Sequence, residues 1–73
     1  MDNLQNTTLG EKRIGIYAKD IQILTGKSER YARKIIAQVR KFYSKRKDQI
    51  VSINEFCGYM DLNEQEVRKA IIF

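Results

Sequence analysis

The sequence predicts an all-α fold, a compact domain of four helices, and three observations support this fold class. Apolar residues recur at steps of three and four through the longest periodic stretch, residues 28–47. Three shorter stretches show a similar spacing, each beside a residue that typically starts or ends a helix. The chain has 73 residues, 42% of them hydrophobic, and no proline, so we expect one folded module with a small margin of stability.

The stretch from Ser28 to Lys47 is predicted to be one long helix, with Ser28 as its N-cap. Its apolar stripe consists of Tyr31, Ala32, Ile35, Ile36, Val39, Phe42 and Tyr43. The other side of the helix carries Arg30, Arg33, Lys34, Arg40 and Lys41, with the small residues Ala37 and Ser44 between them. We expect the apolar stripe to face the core and the basic side to remain exposed.

The residues before this helix are predicted to form an arm, a strand and a first helix. Residues 1–12 are polar and aperiodic, which is typical of a mobile N-terminal arm. Residues 13–17 are expected to pair with residues 49–53 as a minor two-stranded ribbon, the alternative for 49–53 being a packed connection. Residues 18–25 have the spacing of a two-turn helix, and Gly26 is expected to end it in the left-handed conformation.

Two further helices are predicted in the C-terminal third of the chain. Ser52 and Glu55 have the spacing of a capping box, and Asn63 and Glu66 repeat that spacing. The residues expected to face inward are Phe56, Tyr59 and Met60 in one helix and Val67, Ala70 and Ile71 in the other, with Leu62 filling the joint.

The elements together predict a single helical domain at residues 13–73, with one helical pair at 18–47 and a second at 52–72. A displacement of 35 residues aligns the two pairs, matching Glu29 with Glu64, Arg33 with Arg68, Lys34 with Lys69 and Ile36 with Ile71. The two pairs are therefore either related by duplication or independent pairs that share capping and period.

Positive charge is concentrated on the long helix. The net charge is 0 over residues 1–26, +8 over residues 27–47 and −3 over residues 48–73. This asymmetry favours a polyanionic partner, because lysine and arginine release counterions when they neutralise phosphates. A merely solvated helix face is the alternative.

Several other classes of function lack support in the sequence. Cys57 is the single cysteine and histidine is absent, so no internal disulfide can form, neither a metal site nor a cofactor is expected, and Cys57 is expected to be a small buried hydrophobe. No nucleophile motif, glycine-rich phosphate loop or paired carboxylates are present, so we do not expect an enzyme. With no long apolar run and no secretion leader, the expected compartment is the cytoplasm.

Residues 18–36, AKDIQILTGKSERYARKII, resemble the helix-turn-helix of DNA-binding proteins, particularly the small regulators and excisionase-like proteins of phages and conjugative elements. The resemblance rests on a D-I-x-x-L-x-G segment, a polar turn and an S-x-x-x-A-R-x-I helix. It implies that the first helix crosses the DNA backbone and that the helix from Ser28 enters the major groove. The contact candidates that it implies are Lys27, Ser28, Glu29, Arg30, Arg33 and Lys34.

The chemistry of the side chains suggests their roles. Arg30 and Arg33 suit bidentate contacts to guanine, whereas Lys34, Arg40 and Lys41 suit phosphates. The predicted DNA-binding residues are thus Lys27, Ser28, Arg30, Arg33, Lys34, Arg40 and Lys41, in a small transcriptional regulator or recombination accessory factor. Tyr31 is either a core residue or a base-stacking one, while Tyr17, Phe42, Tyr43, Tyr59 and Phe73 are expected in the core. RNA remains an alternative partner to duplex DNA.

The C-terminal stretch LNEQEVRKAIIF supports a rival class, a helical protein–protein interaction module. Its apolar end must be buried in the core or against a partner. The candidates for a homodimer or adaptor contact are Val67, Ile71, Ile72 and Phe73. The segment YMDLNEQEVRKAI also loosely resembles the last helices of ubiquitin-associated-type domains.

Overall fold

The computed structural model describes residues 13–71, and the predicted N-terminal arm at 1–12 and the residues Ile72 and Phe73 lie outside this range. The elements in chain order are β1 (Gly15–Ile16), α1 (Ala18–Thr25), α2 (Glu29–Phe42), β2 (Val51–Ser52), α3 (Ile53–Met60) and α4 (Glu64–Ala70). The prediction of four helices with a minor ribbon is confirmed.

The two strands form a short ribbon that packs against α2 and α3. β1 and β2 pair antiparallel, with Gly15 opposite Ser52 and Ile16 opposite Val51. Ile16 and Val51 are buried in the core, whereas Ile14 is exposed. The backbone N–H of Ile53 donates to the carbonyl oxygen of Ile14 at 2.7 Å, which ties the start of α3 to the ribbon.

One hydrophobic core joins all four helices and both strands. Its buried residues are Ile16, Ile21, Ala32, Ile35, Val39, Val51, Ile53, Phe56, Cys57, Val67 and Ile71. Cys57 is buried as expected, and burial, followed by the nearby Glu64 carboxylate, raises the pKa of its thiol. The prediction that Val67 and Ile71 contact a partner is wrong, because both residues are buried within their own domain.

The ends of α1 and the start of α2 follow local capping chemistry. The Asp20 carboxylate accepts a hydrogen bond from the backbone N–H of Tyr17 at 2.8 Å and pairs with Arg13 at 2.7 Å. Gly26 ends α1 with φ of 70°, a conformation that glycine adopts without penalty from a side chain. The Ser28 hydroxyl oxygen accepts from the backbone N–H of Tyr31 at 3.2 Å. The predicted terminator and N-cap are both confirmed.

Helix α2 ends at Phe42, so the predicted extension to Lys47 is wrong. Ser44 adopts a left-handed φ of 57°, and the backbone N–H of Lys45 donates to the carbonyl oxygen of Arg40 at 2.8 Å. This hydrogen bond belongs to a Schellman motif, which stops the helix one turn before the end of the polar run. Phe42 is 65% exposed as a result, so its predicted place in the core is also wrong.

Four other predicted core positions are wrong. Tyr17 and Tyr43 are exposed because they lie at helix ends, where the core-facing stripe stops. Ala70 is exposed near the C-terminal end of α4. Leu62, expected to fill the joint between α3 and α4, is 46% exposed.

The caps of α3 and α4 are confirmed in different degrees. Ser52 and Glu55 form a complete capping box, with backbone-to-side-chain hydrogen bonds of 2.9 and 3.0 Å. The Asn63 side-chain oxygen accepts from the backbone N–H of Glu66 at 3.0 Å. Within residues 13–71 no reciprocal bond from Glu66 closes this second box, so Asn63 acts as a simple N-cap.

The backbone repeats at the displacement of 35 residues. Both first helices begin at equivalent positions, 18 and 53, and both second helices at 29 and 64. Ile16 pairs across the ribbon with Val51, its own counterpart, which is the pairing that a two-fold relation between the halves requires. We call residues 15–42 the first unit and residues 51–70 the second unit.

Candidate nucleic-acid interface

The candidate site is the side of α2 that faces away from the core. Ala32, Ile35 and Val39 bury the opposite side of this helix. The exposed side consists of Arg30, Arg33, Lys34, Ala37 and Lys41, which we call the basic face. Four of the five cations predicted for this side thus surround one small side chain, Ala37, along the outer surface of a single helix.

Few acidic groups neutralise the basic face. Arg33 pairs with Glu29, one turn earlier on the same helix, at 2.5 Å. Among residues 13–71, no carboxylate lies within ion-pair distance of Arg30, Lys34 or Lys41. The positive potential of the face is therefore available to an external anion.

Two of the four acidic residues of the second unit form ion pairs away from the basic face. Glu55 pairs with Lys45 at 3.0 Å, and Glu64 pairs with Arg68 at 2.9 Å. Hydrogen bonding from the Ser52 backbone, helped by Lys45, lowers the pKa of Glu55. The pKa of Glu64 is also lowered, first by a hydrogen bond from the Asn54 side chain. These contacts pair both carboxylates with cations that lie outside the basic face.

Two predicted contact residues lie just before the basic face. Lys27 is exposed, and its ammonium nitrogen is 5.6 Å from the centre of the Tyr31 ring, a cation–π distance. Ser28 is exposed at the helix start, where its oxygen already accepts the capping hydrogen bond. Tyr31 itself is half-buried and packs against the core, which leaves part of its ring accessible.

Arg40 lies beside the basic face rather than on it. The side chain is half-buried, and its Nε donates to the backbone oxygen of Gln49 at 2.9 Å. This contact fastens α2 to the segment before β2, so one donor of Arg40 serves the fold. The three cations that follow α2 also lie outside the helix, with Lys45 bound to Glu55 and Arg46 paired with Asp48.

An aromatic patch beside α3 was not expected from the sequence. The ring of Phe42 makes edge-to-face contacts with Tyr43 and Tyr59, with centroid distances of 4.9 and 5.3 Å. Gly58 permits this arrangement, because a Cβ at that position would lie 2.6 Å from the Tyr43 hydroxyl oxygen. The apolar stripe predicted Phe42 and Tyr43 as core residues, because the predicted helix extended beyond them to Lys47.

A groove of about 340 Å³ lies between the end of α1 and the α3–α4 joint. It is lined by Leu24, Thr25, Met60, Leu62, Asn63, Glu66 and Val67. None of these residues belongs to the basic face, so the groove and the candidate interface are separate surfaces.

Comparison with protein-family models, with curated protein sequences and with solved structures finds no match to this chain. Across residues 13–71, no helix has the length and apolar character needed to cross a bilayer. The same residues contain no group of three or more cysteine or acidic side chains placed to hold a metal ion.

Proposed function

We propose that the protein binds duplex DNA through the basic face, as a small transcriptional regulator or recombination accessory factor. The observation that carries the proposal is the basic face itself, on which Arg30, Lys34 and Lys41 are exposed without an acidic partner within residues 13–71. Lysine and arginine in such an arrangement bind phosphates through counterion release. Sequence preference would come from the side chains near the start of α2.

The arrangement of α1 and α2 supports the major groove as the binding position. A connection of three residues, 26–28, joins the two helices, and they pack against each other. A helix-turn-helix uses such a pair to hold its second helix against DNA while the first crosses the backbone. In this proposal, α2 enters the groove with Lys27 and Ser28 at its leading end.

Salt dependence of DNA binding tests the proposal. Fluorescence anisotropy with a labelled duplex should give a log–log slope of affinity against salt of about −4 if four to five phosphates are neutralised. A labelled RNA duplex of the same sequence tests the alternative partner. A flat salt response with both duplexes would refute nucleic-acid binding, and tighter binding to RNA would replace DNA with RNA.

A matched pair of charge reversals locates the interface. Lys34 and Lys69 are exposed lysines at equivalent positions of the two units. Lys34→Glu should lower DNA affinity about tenfold or more and reduce the salt slope by about 1, because it removes one phosphate contact. Lys69→Glu changes the net charge equally and should have a much smaller effect. Equal losses in both variants would mean that binding follows net charge alone.

A second candidate function, self-association through the aromatic patch, is favoured by the exposure of Phe42. A side chain of this size that is 65% exposed, beside the rings of Tyr43 and Tyr59, offers apolar area to a second copy of the chain. Sedimentation equilibrium should then report a dimer for the wild type and a monomer for Phe42→Ser. A monomeric wild type at all concentrations would remove this candidate.

A further inference from the structure

The two units carry the same ion pair at equivalent positions, and the surroundings of the two pairs differ. Glu29 and Arg33 in α2 correspond to Glu64 and Arg68 in α4, each pair joined across one helical turn. The α2 pair is open to solvent, with 58% of the Glu29 side chain and 73% of the Arg33 side chain exposed. The two sites therefore share a sequence pattern and differ in what they can contact.

The α4 pair is tied into the fold. Arg68 Nη1 donates to the backbone oxygen of Arg13 at 2.6 Å, in addition to its pairing with Glu64. Glu64 also accepts a hydrogen bond from the Asn54 side chain at 3.2 Å. This pair connects α4 with the chain before β1 and with α3, so its role is structural.

The α2 pair has no comparable structural use within residues 13–71. Its one side-chain hydrogen bond there joins Arg33 to Glu29. An exposed ion pair across one helical turn contributes little to stability, on the order of a few tenths of a kcal/mol. What the pair does provide is a guanidinium and a carboxylate, held side by side on the outer surface at the start of α2.

This combination of donors and an acceptor is complementary to one base pair. In the major groove, guanine presents two acceptors, N7 and O6, and the paired cytosine presents one donor, the N4 amino group. The guanidinium of Arg33 supplies two donors and the carboxylate of Glu29 supplies an adjacent acceptor. An A·T pair presents a donor, the adenine N6 amino group, at the position where guanine O6 accepts, so it does not match.

We propose that Glu29 and Arg33 together read one G·C base pair, with Arg33 donating to guanine and Glu29 accepting from cytosine. The inference rests on the proposed DNA binding and adds a specificity-determining role for an acidic residue. Glu29 fixes the orientation of the Arg33 guanidinium, and its charge repels the phosphates. It therefore increases selectivity while it lowers affinity for unrelated sequences.

Selection of bound sequences from random duplexes tests this role, using wild type, Glu29→Gln and the matched control Glu64→Gln. The wild-type motif should contain a position fixed as G·C. The preference for G·C at this position, measured with duplexes that differ only at this base pair, should fall at least about fivefold in Glu29→Gln. Affinity for a mixed-sequence duplex at low salt should rise in the same variant. Glu64→Gln should keep the wild-type preference, and thermal unfolding of all three proteins checks that each is folded.

The outcomes separate this inference from the function on which it rests. One outcome would refute the paired reading and leave DNA binding standing. In it, the wild type binds duplexes with a steep salt response, but either it selects no G·C position or Glu29→Gln keeps the wild-type preference. Wild-type protein without salt-dependent DNA binding would refute both. Loss of preference in Glu29→Gln with the control unchanged would support both.

Discussion

The first and second units share a backbone plan and present different surfaces. Their helix starts, their N-caps and their left-handed C-terminal residues recur 35 positions apart, with Gly26 and Asp61 in the left-handed places. The outer residues have diverged, since Lys27 corresponds to Leu62 and Arg30 to Gln65. The comparison shows that a few caps and buried residues are enough to specify this backbone, while the exposed positions are free to take on separate roles.

The second helices also differ in length, and this difference matters for function. Helix α2 has 14 residues and α4 has seven. The additional two turns of α2 carry Ala37 and Lys41, which extend the basic face beyond anything that α4 presents within residues 13–71. A long second helix with a cationic outer side is therefore specific to the first unit, which is why we place the proposed DNA contact there.

The largest expected effect is on the free energy of unfolding, and it comes from truncating equivalent core residues of the two units. Ile21 in α1 and Phe56 in α3 are equivalent, and both are fully buried. Phe56→Ala should lower the free energy of unfolding by about 3–5 kcal/mol and Ile21→Ala by about 2–4 kcal/mol, because the larger side chain leaves the larger cavity. Urea denaturation followed by circular dichroism measures both.

A milder pair keeps this test informative if Phe56→Ala does not fold, since a domain of this size has only a few kcal/mol to lose. Phe56→Leu should cost more than Ile21→Val, because it removes three carbon atoms rather than one and replaces a planar ring by a branched chain that cannot fill the same space. The reverse order in the folded variants would show that α1, rather than α3, makes the larger contribution to the core.

The features predicted correctly from the sequence depend on local interactions. The caps at Ser28 and Ser52 form hydrogen bonds to residues three positions away, so the residue types and their spacing are sufficient evidence. The buried stripe of Ile35 and Val39 follows from helical period alone. The exposure of the basic face could be predicted for the same reason, because it lies opposite that stripe.

The features that were missed depend on non-local contacts or on unusual backbone angles. The end of α2 depends on Ser44 in a left-handed conformation, which sequence reasoning associates with glycine. The position of Arg40 depends on the Gln49 carbonyl, in a connection without periodic pattern. The exposure of Phe42 depends on where α2 ends relative to α3. None of these could be derived from spacing within one helix.

An intermediate effect on the free energy of unfolding is expected from exchanging the two residues that have a left-handed backbone conformation at the ends of α1 and α3. Asp61 has φ of 58° and Gly26 has φ of 70°, so each occupies a conformation that favours glycine. Asp61→Gly should raise the free energy of unfolding by about 1 kcal/mol, and Gly26→Asp should lower it by a similar amount. Within residues 13–71, and apart from the two chain neighbours, no atom would lie within 4 Å of a Cβ at Gly26, so the penalty there comes from the backbone rather than a clash.

Urea denaturation of the two single variants and the double variant measures this exchange. The two changes should cancel to within a few tenths of a kcal/mol in the double variant, since each acts through the backbone conformation of its own residue. If Asp61→Gly destabilises the protein, Asp61 must make a favourable interaction that outweighs its backbone strain, and the two units would differ in how their first helices end.

The smallest effect is the pH dependence that arises from the capping box of the second unit. The Glu55 carboxylate accepts from the Ser52 backbone N–H and from Lys45, each at 3.0 Å, and these contacts lower its pKa in the folded state. A lowered pKa means that this carboxylate stabilises the fold above the ordinary glutamate pKa, and that the stabilisation is lost as the pH falls through the lowered folded-state pKa.

Glu55→Gln should therefore weaken the loss of stability in acid, since its amide oxygen still accepts from Ser52 but carries no charge. Part of the acid sensitivity should remain, because the pKa of Glu64 is lowered too. Glu66→Gln is the matched control, at the same position of the first turn of α4 but without a completed capping box within residues 13–71. Denaturation at a series of pH values should show a flatter acid limb for Glu55→Gln than for wild type, and a wild-type limb for Glu66→Gln. Identical limbs for wild type and Glu55→Gln would mean that the ionised capping box contributes nothing to the difference between the units.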